Sequence, residues 1–279
     1  MNDEPKPSPE AGVGASAGAN DMAAATASGF FTELRLAISF LTILPILPAI
    51  DRRRASEDTV AASFAWFPIV GFALGAALTA EDWLLAHVFA QVIRSVLIIV
   101  SLTVVTGAVH LDGLVDTADA LGAGRDRERA LDILRDSRVG TFGASAIFFD
   151  LTLKILALST LAGHHRLAAL LLAPMLARWA MLLVAAGLPY LRSSGSGSML
   201  LGSKSKGLGS RAVFVAIFTL VAMLMLGALR AGALASAVAI AIVFAMRLFY
   251  RRWLGGVTGD LIGACGELVE IAVLVTMAS

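Results

Sequence analysis

Charge is what this sequence has least of. Asp, Glu, Lys and Arg together make 15% of its 279 residues against 58% hydrophobic, and the mean hydropathy is +0.82. That balance excludes an ordinary soluble globular domain and fits a polytopic membrane protein. The net charge of +1 points to no partner class. Cysteine is nearly absent: Cys265, standing alone, can form neither an internal disulfide nor a cysteine metal site, and reads as a small packing residue. The pattern of a secretory signal is missing too, because an acidic, proline-bearing start replaces the basic n-region and apolar core. Residues 1–28, rich in Pro, Gly, Ala and Ser and without apolar periodicity, read as a disordered tail. Residues 29–279 read as a membrane domain.

Long apolar runs are what the chain does have. Stretches of about 20 residues, the length that crosses a bilayer, recur near 59–80, 84–109, 139–161, 167–189, 212–229, 232–249 and 261–278. About seven spans in an all-α, polytopic helical bundle are expected. Residues 30–50 are apolar as well, but Pro45 and Pro48 break the run. An interfacial or re-entrant N-terminal helix followed by an extended piece therefore competes with a further crossing. Lys and Arg test the segmentation, since they should gather on alternate connections. Fifteen of them fall in 51–58, 110–138, 190–211 and 247–260, whereas the opposite connections hold only Arg166 and Arg230. The four basic connections are expected to face the cytoplasm, in a cell inner membrane.

Between two apolar runs lies a polar stretch, residues 110–138, with seven of the chain's 21 acidic residues. Asp112, Asp116 and Asp119 fall at i, i+4 and i+7, so a helix would project all three from one face. Such carboxylates repel one another unless a divalent cation or a cationic substrate lies over them. Gly122, Ala123 and Gly124 should end this helix, and Asp126 is placed to cap a second, amphipathic one running to about Asp136. Glu128, Arg129 and Asp132 read as a solvated face. His110 is the one histidine beside this chemistry; His87, His164 and His165 have no partner at ligand spacing.

Other charges sit inside apolar runs, where they mark function or a paired structural role. Arg178 is the clearest. Asp150 and Lys154, at i and i+4, read as a neutralising pair, with Lys154 retained as an anion contact. Arg94, Glu81 and Asp82 read as snorkelling toward the far surface. Near the end, GGVTGDLIGACGELVE surrounds Asp260 with glycines and carries Glu267 and Glu270 into a span. These acids need a polar cavity, or a basic partner such as Arg178 or Arg252.

The blocks HLDGLVDTADAL with RDSRVGTFGA, ARWAMLLVAAGLPYLR with GLGS, and GGVTGDLIGACGELVE stand in an order that resembles the cobalamin synthase, or adenosylcobinamide-GDP ribazoletransferase, family. The resemblance runs from about residue 34 to the C-terminus. It implies a Mg²⁺-dependent membrane transferase that joins adenosylcobinamide-GDP to α-ribazole or its 5′-phosphate and releases GMP. By carry-over, His110, Asp112, Asp116, Asp119, Asp136, Arg138, Arg178, Asp260, Glu267 and Glu270 occupy the polar positions of these blocks. On this reading Asp112, Asp116 and Asp119 hold Mg²⁺; His110, Asp112, Asp116 and Asp136 are candidates for the catalytic work. Arg138, Arg178, Lys154, Asp260, Glu267 and Glu270 are candidates for substrate binding. The lipid bilayer is a partner, nucleic acid is not, and a homo-oligomer or a complex with other cobalamin-assembly enzymes stays open. Ala120 stands where glycine is common in the family, and 193–206 looks like an insertion that leaves Lys204 and Lys206 without a defined relation to the nucleotide.

Two rival classes fit less well. A CDP-alcohol phosphotransferase also clusters aspartates at a membrane surface, but its DGxxAR pattern needs Ala and Arg where this chain has Asp116 and Thr117. An ion-coupled transporter explains acids in spans, but no repeated halves are visible here.

Overall fold

Lipid offers no hydrogen-bond partners, so an apolar chain must close its backbone bonds internally. Among the described residues it does so with helices, apart from one isolated bridge between Tyr190 and Val257. The structure, a computed structural model, describes residues 29–46, 56–136, 138–191, 217 and 228–279. The tail 1–28, all of the span expected over 212–229 but residues 217, 228 and 229, Arg52 to Arg54, and the insertion with Lys204 and Lys206 lie outside the described residues.

Helix α1 covers 29–41 and gives way to non-helical chain through residue 46, before the run that Pro45 and Pro48 interrupt is complete. Its Leu36, Ala37 and Leu41 are buried, Glu33 accepts a bond from Trp66 Nε1 at 3.1 Å, and Ile43 N donates to Val105 O at 2.9 Å. Next come α2 (Glu57–Ser63), a 3₁₀ turn (Phe64–Trp66), α3 (Phe67–Leu85), α4 (Gln91–Val105), α5 (Val109–Leu121) and α6 (Arg127–Ile133). The remaining helices are α7 (Thr141–Thr160), α8 (Gly163–Ala185), α9 (Leu229–Trp253) and α10 (Gly259–Ala278). Among the described residues, five segments are long and apolar enough to cross a membrane, and six if α4 and α5 count as one bent crossing. The chain is thus an all-α, multi-pass membrane protein.

The straight span expected over 84–109 is replaced by α4 and α5, which meet at 89°. Gly107 ends α4: its φ is +63°, its N–H bonds Val104 O at 3.0 Å, and Ala108 N bonds Thr103 O at 2.9 Å. This pair of bonds is a Schellman closure, which needs a left-handed residue where Gly107 stands. Ala108 follows with φ +54°, a conformation that costs an L residue about 1–2 kcal/mol. The bend turns the acidic helix across the bundle.

Helices α3 and α8 cross closely because Gly71 and Gly75 form a small-xxx-small pair. A Cβ on Gly71 would lie 2.5 Å from Pro174 O, and one on Gly75 would lie 2.5 Å from Leu170 O. Pro174 has no N–H for the Leu170 carbonyl, so the glycine backbone comes to rest where the helix ladder is open. Helix α10 packs on α5, α7, α8 and α9, and carries the site's first turn into their midst.

At the end of the bundle away from Asp112, Asp82 pairs with Arg166 at 2.6 Å and with Arg94 at 3.2 Å. Gln91 donates to Ser159 O at 2.7 Å and Leu161 O at 2.6 Å. Asp82 and Arg94 therefore do not snorkel; together with Arg166 they tie α3, α4 and α8 in one buried cluster. Glu81 likewise turns inward, accepting from Ser101 Oγ at 2.7 Å.

Candidate active site at the acidic end of the bundle

Three stretches far apart in sequence meet at the end of the bundle that carries Asp112. Gly113 lies against the first turn of α10, where a Cβ would sit 2.7 Å from Asp260 O, and a Cβ on Gly263 would sit 3.1 Å from the His110 Cα. Only glycine on each helix allows that approach. Arg127 Nε donates to Leu254 O at 2.8 Å, and Trp253 Nε1 donates to Gly124 O at 3.0 Å. Leu191 N bonds Val257 O at 2.9 Å, and Val257 N bonds Pro189 O at 2.8 Å. Thr258 caps α10, accepting from Leu261 N at 3.3 Å and donating to Asp260 Oδ2 at 3.2 Å. Asp126 caps α6 as the sequence suggested, accepting from Arg129 N at 3.0 Å.

The three stripe aspartates differ in what they already hold. Asp112 is exposed, and among the described residues its carboxylate has no hydrogen bond and no ion pair. Asp116, on the same face, is half-buried and has a partner. Asp119 has both oxygens engaged, accepting from Gly140 N at 2.7 Å and from Gly143 N at 2.8 Å. Asp136 grips Arg138 in a two-pronged pair, at 3.0 Å to Nε and 2.6 Å to Nη2. Those bonds hold the Asp136 carboxyl below its ordinary range. The Arg138 side chain is 87% exposed, so its guanidinium edge away from Asp136 is open to an anion.

The remaining candidates are elsewhere. Lys154 and Glu270 lie about 20 and 16 Å along their helices from this end, at 1.5 Å per residue. There Lys154 pairs with Asp150 at 3.1 Å, with Glu270 at 3.1 Å and with Glu267, while Arg178 pairs with Glu270 at 2.5 Å. All five side chains are buried. A small cavity lies between them and the α4–α5 bend at Thr103, Thr106 and Ala108. The buried His110 at the start of α5 has no hydrogen bond on Nδ1, and the Asp150 oxygens, though ion-paired, accept none. The last block is thus split, with Asp260 at the mouth and Glu267 and Glu270 in the bundle's interior.

Carboxylates at the mouth suit a hard, oxygen-seeking cation, but among the described residues no three His, Cys, Asp or Glu side chains converge as a ready-made metal cage. Mg²⁺ rarely has such a cage. It keeps several waters and binds one or two carboxylates plus substrate phosphates. An unengaged Asp112 with Asp116 one turn on meets that requirement, whereas Asp119 would have to release two backbone amides.

Residues 33–278 match the family described as cobalamin-5-phosphate synthase. The chain belongs to that family. It is 38% identical over 248 residues to the adenosylcobinamide-GDP ribazoletransferase of Desulforamulus reducens, covering 88% of this chain and 95% of the relative. The enzyme of the same name from Syntrophobacter fumaroxidans is 40% identical over 250 residues, 85% of this chain and 94% of its own. That of Pseudomonas syringae pv. syringae is 36% identical over 245 residues, with 87% and 97% covered. No solved structure matches the chain. For a cobalamin-5-phosphate synthase family member, the most informative residues that sequence reading passed over are Gly113, Gly140 and Gly143. Their signal is small size beside a polar motif, which shows its meaning only once the facing backbone is known.

Proposed function

We propose that the chain is an adenosylcobinamide-GDP ribazoletransferase, which joins adenosylcobinamide-GDP to α-ribazole or its 5′-phosphate and releases GMP. The observation that carries this reading is the meeting of the acidic stripe with Asp260. The Gly113–Asp260 approach brings the backbones of two distant, acid-bearing family blocks into contact, which supports a shared mouth. A hydroxyl of the ribazole ribose attacks the phosphorus nearer the corrinoid. A P–O bond forms, the bond to the bridging oxygen breaks, and GMP leaves with the electron pair. The hydroxyl proton passes to a base at the mouth.

Asp112 and Asp116 are the residues that would hold Mg²⁺, and the bound ion would supply charge neutralisation to the phosphoryl oxygens. Arg138 is placed to meet phosphate oxygens with the donors that Asp136 leaves open. Lys154, Arg178, Glu267 and Glu270 already compensate one another, and their role here is to hold α7, α8 and α10 together. The mouth would face the cytoplasm of the inner membrane, because two of the arginine-rich connections, 110–138 and 247–260, meet there.

The test is GMP release by the purified protein in lipid nanodiscs, given adenosylcobinamide-GDP, α-ribazole and Mg²⁺. Release that requires all three supports the reading. No release with both ribazole forms refutes it.

A further inference from the structure

Asp119 belongs by sequence to the acidic stripe, yet its carboxylate is turned toward the start of another helix. Gly140 is the N-cap residue of α7 and has no side chain to cap with. In a local capping box, an N-cap side chain binds the third residue's N–H while that residue's side chain binds the N-cap N–H. Here both positions are glycine, Gly140 and Gly143, and one carboxylate from α5 takes both N–H groups. The glycines match their partner, for a Cβ on Gly140 would lie 2.6 Å from Asp119 Oδ1, and one on Gly143 would lie 2.6 Å from Val115 Cγ1. The first turn of α7 contains no acid of its own, so Asp119 also supplies the negative charge its helix dipole favours.

We infer that Asp119 is a positioning residue: it caps α7 from α5 and thereby fixes the approach of the Arg138 segment to the acidic face, rather than binding metal. Arg138 lies two residues before Gly140, within about 7 Å by chain reach. Gly140 is bonded to the last aspartate of the stripe. Where α7 begins therefore decides where the Arg138 guanidinium can stand relative to Asp112 and Asp116.

The capping geometry predicts a compensation. Gly140 has φ −94° and ψ −174°, an extended conformation open to any residue and usual for an N-cap. Gly140→Ser should harm the native protein, because its Cβ meets the Asp119 carboxylate. Asp119→Ala should lower the melting temperature and raise KM for adenosylcobinamide-GDP about tenfold with kcat little changed, as a misplaced binding group does. The double variant Asp119→Ala with Gly140→Ser should recover most of both losses, since serine then caps α7 locally. Asp119→Asn, which keeps one acceptor and the shape, should bind Mn²⁺ as the native protein does, whereas Asp112→Asn should not.

Losses that simply add in the double variant, or loss of Mn²⁺ binding in Asp119→Asn, would overturn the inference. The KM readout rests on the transferase reading. The melting and Mn²⁺ readouts do not, so a failure of that reading is seen separately as absent turnover in the native protein.

Discussion

Asp112 at the mouth and the three carboxylates of the bundle interior are treated in opposite ways, whereas Asp116 and Asp119 beside Asp112 on α5 already hold partners. Asp150, Glu267 and Glu270 surround Lys154, with Arg178 closing the cluster from α8. Asp112 stands exposed and, among the described residues, unbonded. At mid-membrane depth an uncompensated charge is too costly to keep, so every acid there comes with a cation. At the mouth, water tolerates an open carboxylate until a ligand arrives. Charge inside this bundle is architecture, and the open charge of Asp112 at its mouth is available for chemistry.

The largest effect should come from breaking the open side of that comparison. Asp112→Asn is expected to reduce turnover by at least about 10³-fold, the scale of removing a group that acts on developing charge. Its melting temperature in detergent should stay at the native value, because the side chain bonds nothing among the described residues. A parallel fall in stability would show that Asp112 is structural after all.

Breaking the closed side should do the reverse. Lys154→Met leaves buried Asp150 and Glu267 without a cation, Glu270 keeping Arg178, and is expected to cost about 3–5 kcal/mol of stability. Adding Asp150→Asn and Glu267→Gln should return part of that loss, since the neutral groups no longer need the ammonium. Thermal melts of the single and triple variants decide this, and a triple variant no better than the single would deny Lys154 its compensating role.

Asp82→Asn sharpens the comparison at the far end. It weakens the bonds to Arg94 and Arg166 and is expected to cost about 1.5–3 kcal/mol, the range for bonds to charged groups. Turnover per folded molecule should be unchanged, because this cluster lies away from the mouth.

The smallest effect concerns Asp136. Its carboxyl is held below the ordinary range by Arg138, so the pair persists at neutral pH and is lost only as pH falls through that lowered value. Asp136 should therefore add no step to the pH profile between about pH 6 and 9. Asp136→Ala should leave the melting temperature unchanged.

How much of this was visible beforehand depends on how local each cause is. The Asp126 cap follows from its position before an amphipathic run, and the 59–80 and 261–278 spans follow from apolar length alone. The break at Gly107 was marked by a single glycine within a run otherwise suited to crossing, and hydropathy weighed more than that mark. The Asp82–Arg166 pair joins residues 84 apart in sequence, and nothing in either neighbourhood names the other. Asp119 shared a helix face with Asp112 and Asp116, so periodicity grouped the three. The amides that separate Asp119 from the others belong to a helix that begins 22 residues later. Glu267 and Glu270 were grouped with Asp260 by sequence proximity, although the rise of a helix carries them a third of the way or more across the membrane.

The central claim is that the α5 stripe and a diphosphate share one metal at this mouth. The direct measurement is Mn²⁺ affinity of the native protein and of Asp112→Asn, each with and without adenosylcobinamide-GDP, by electron paramagnetic resonance titration. The account predicts that the nucleotide tightens Mn²⁺ binding to the native protein by more than its own affinity for the ion explains, and that Asp112→Asn abolishes the gain. Equal binding in all four titrations would contradict it.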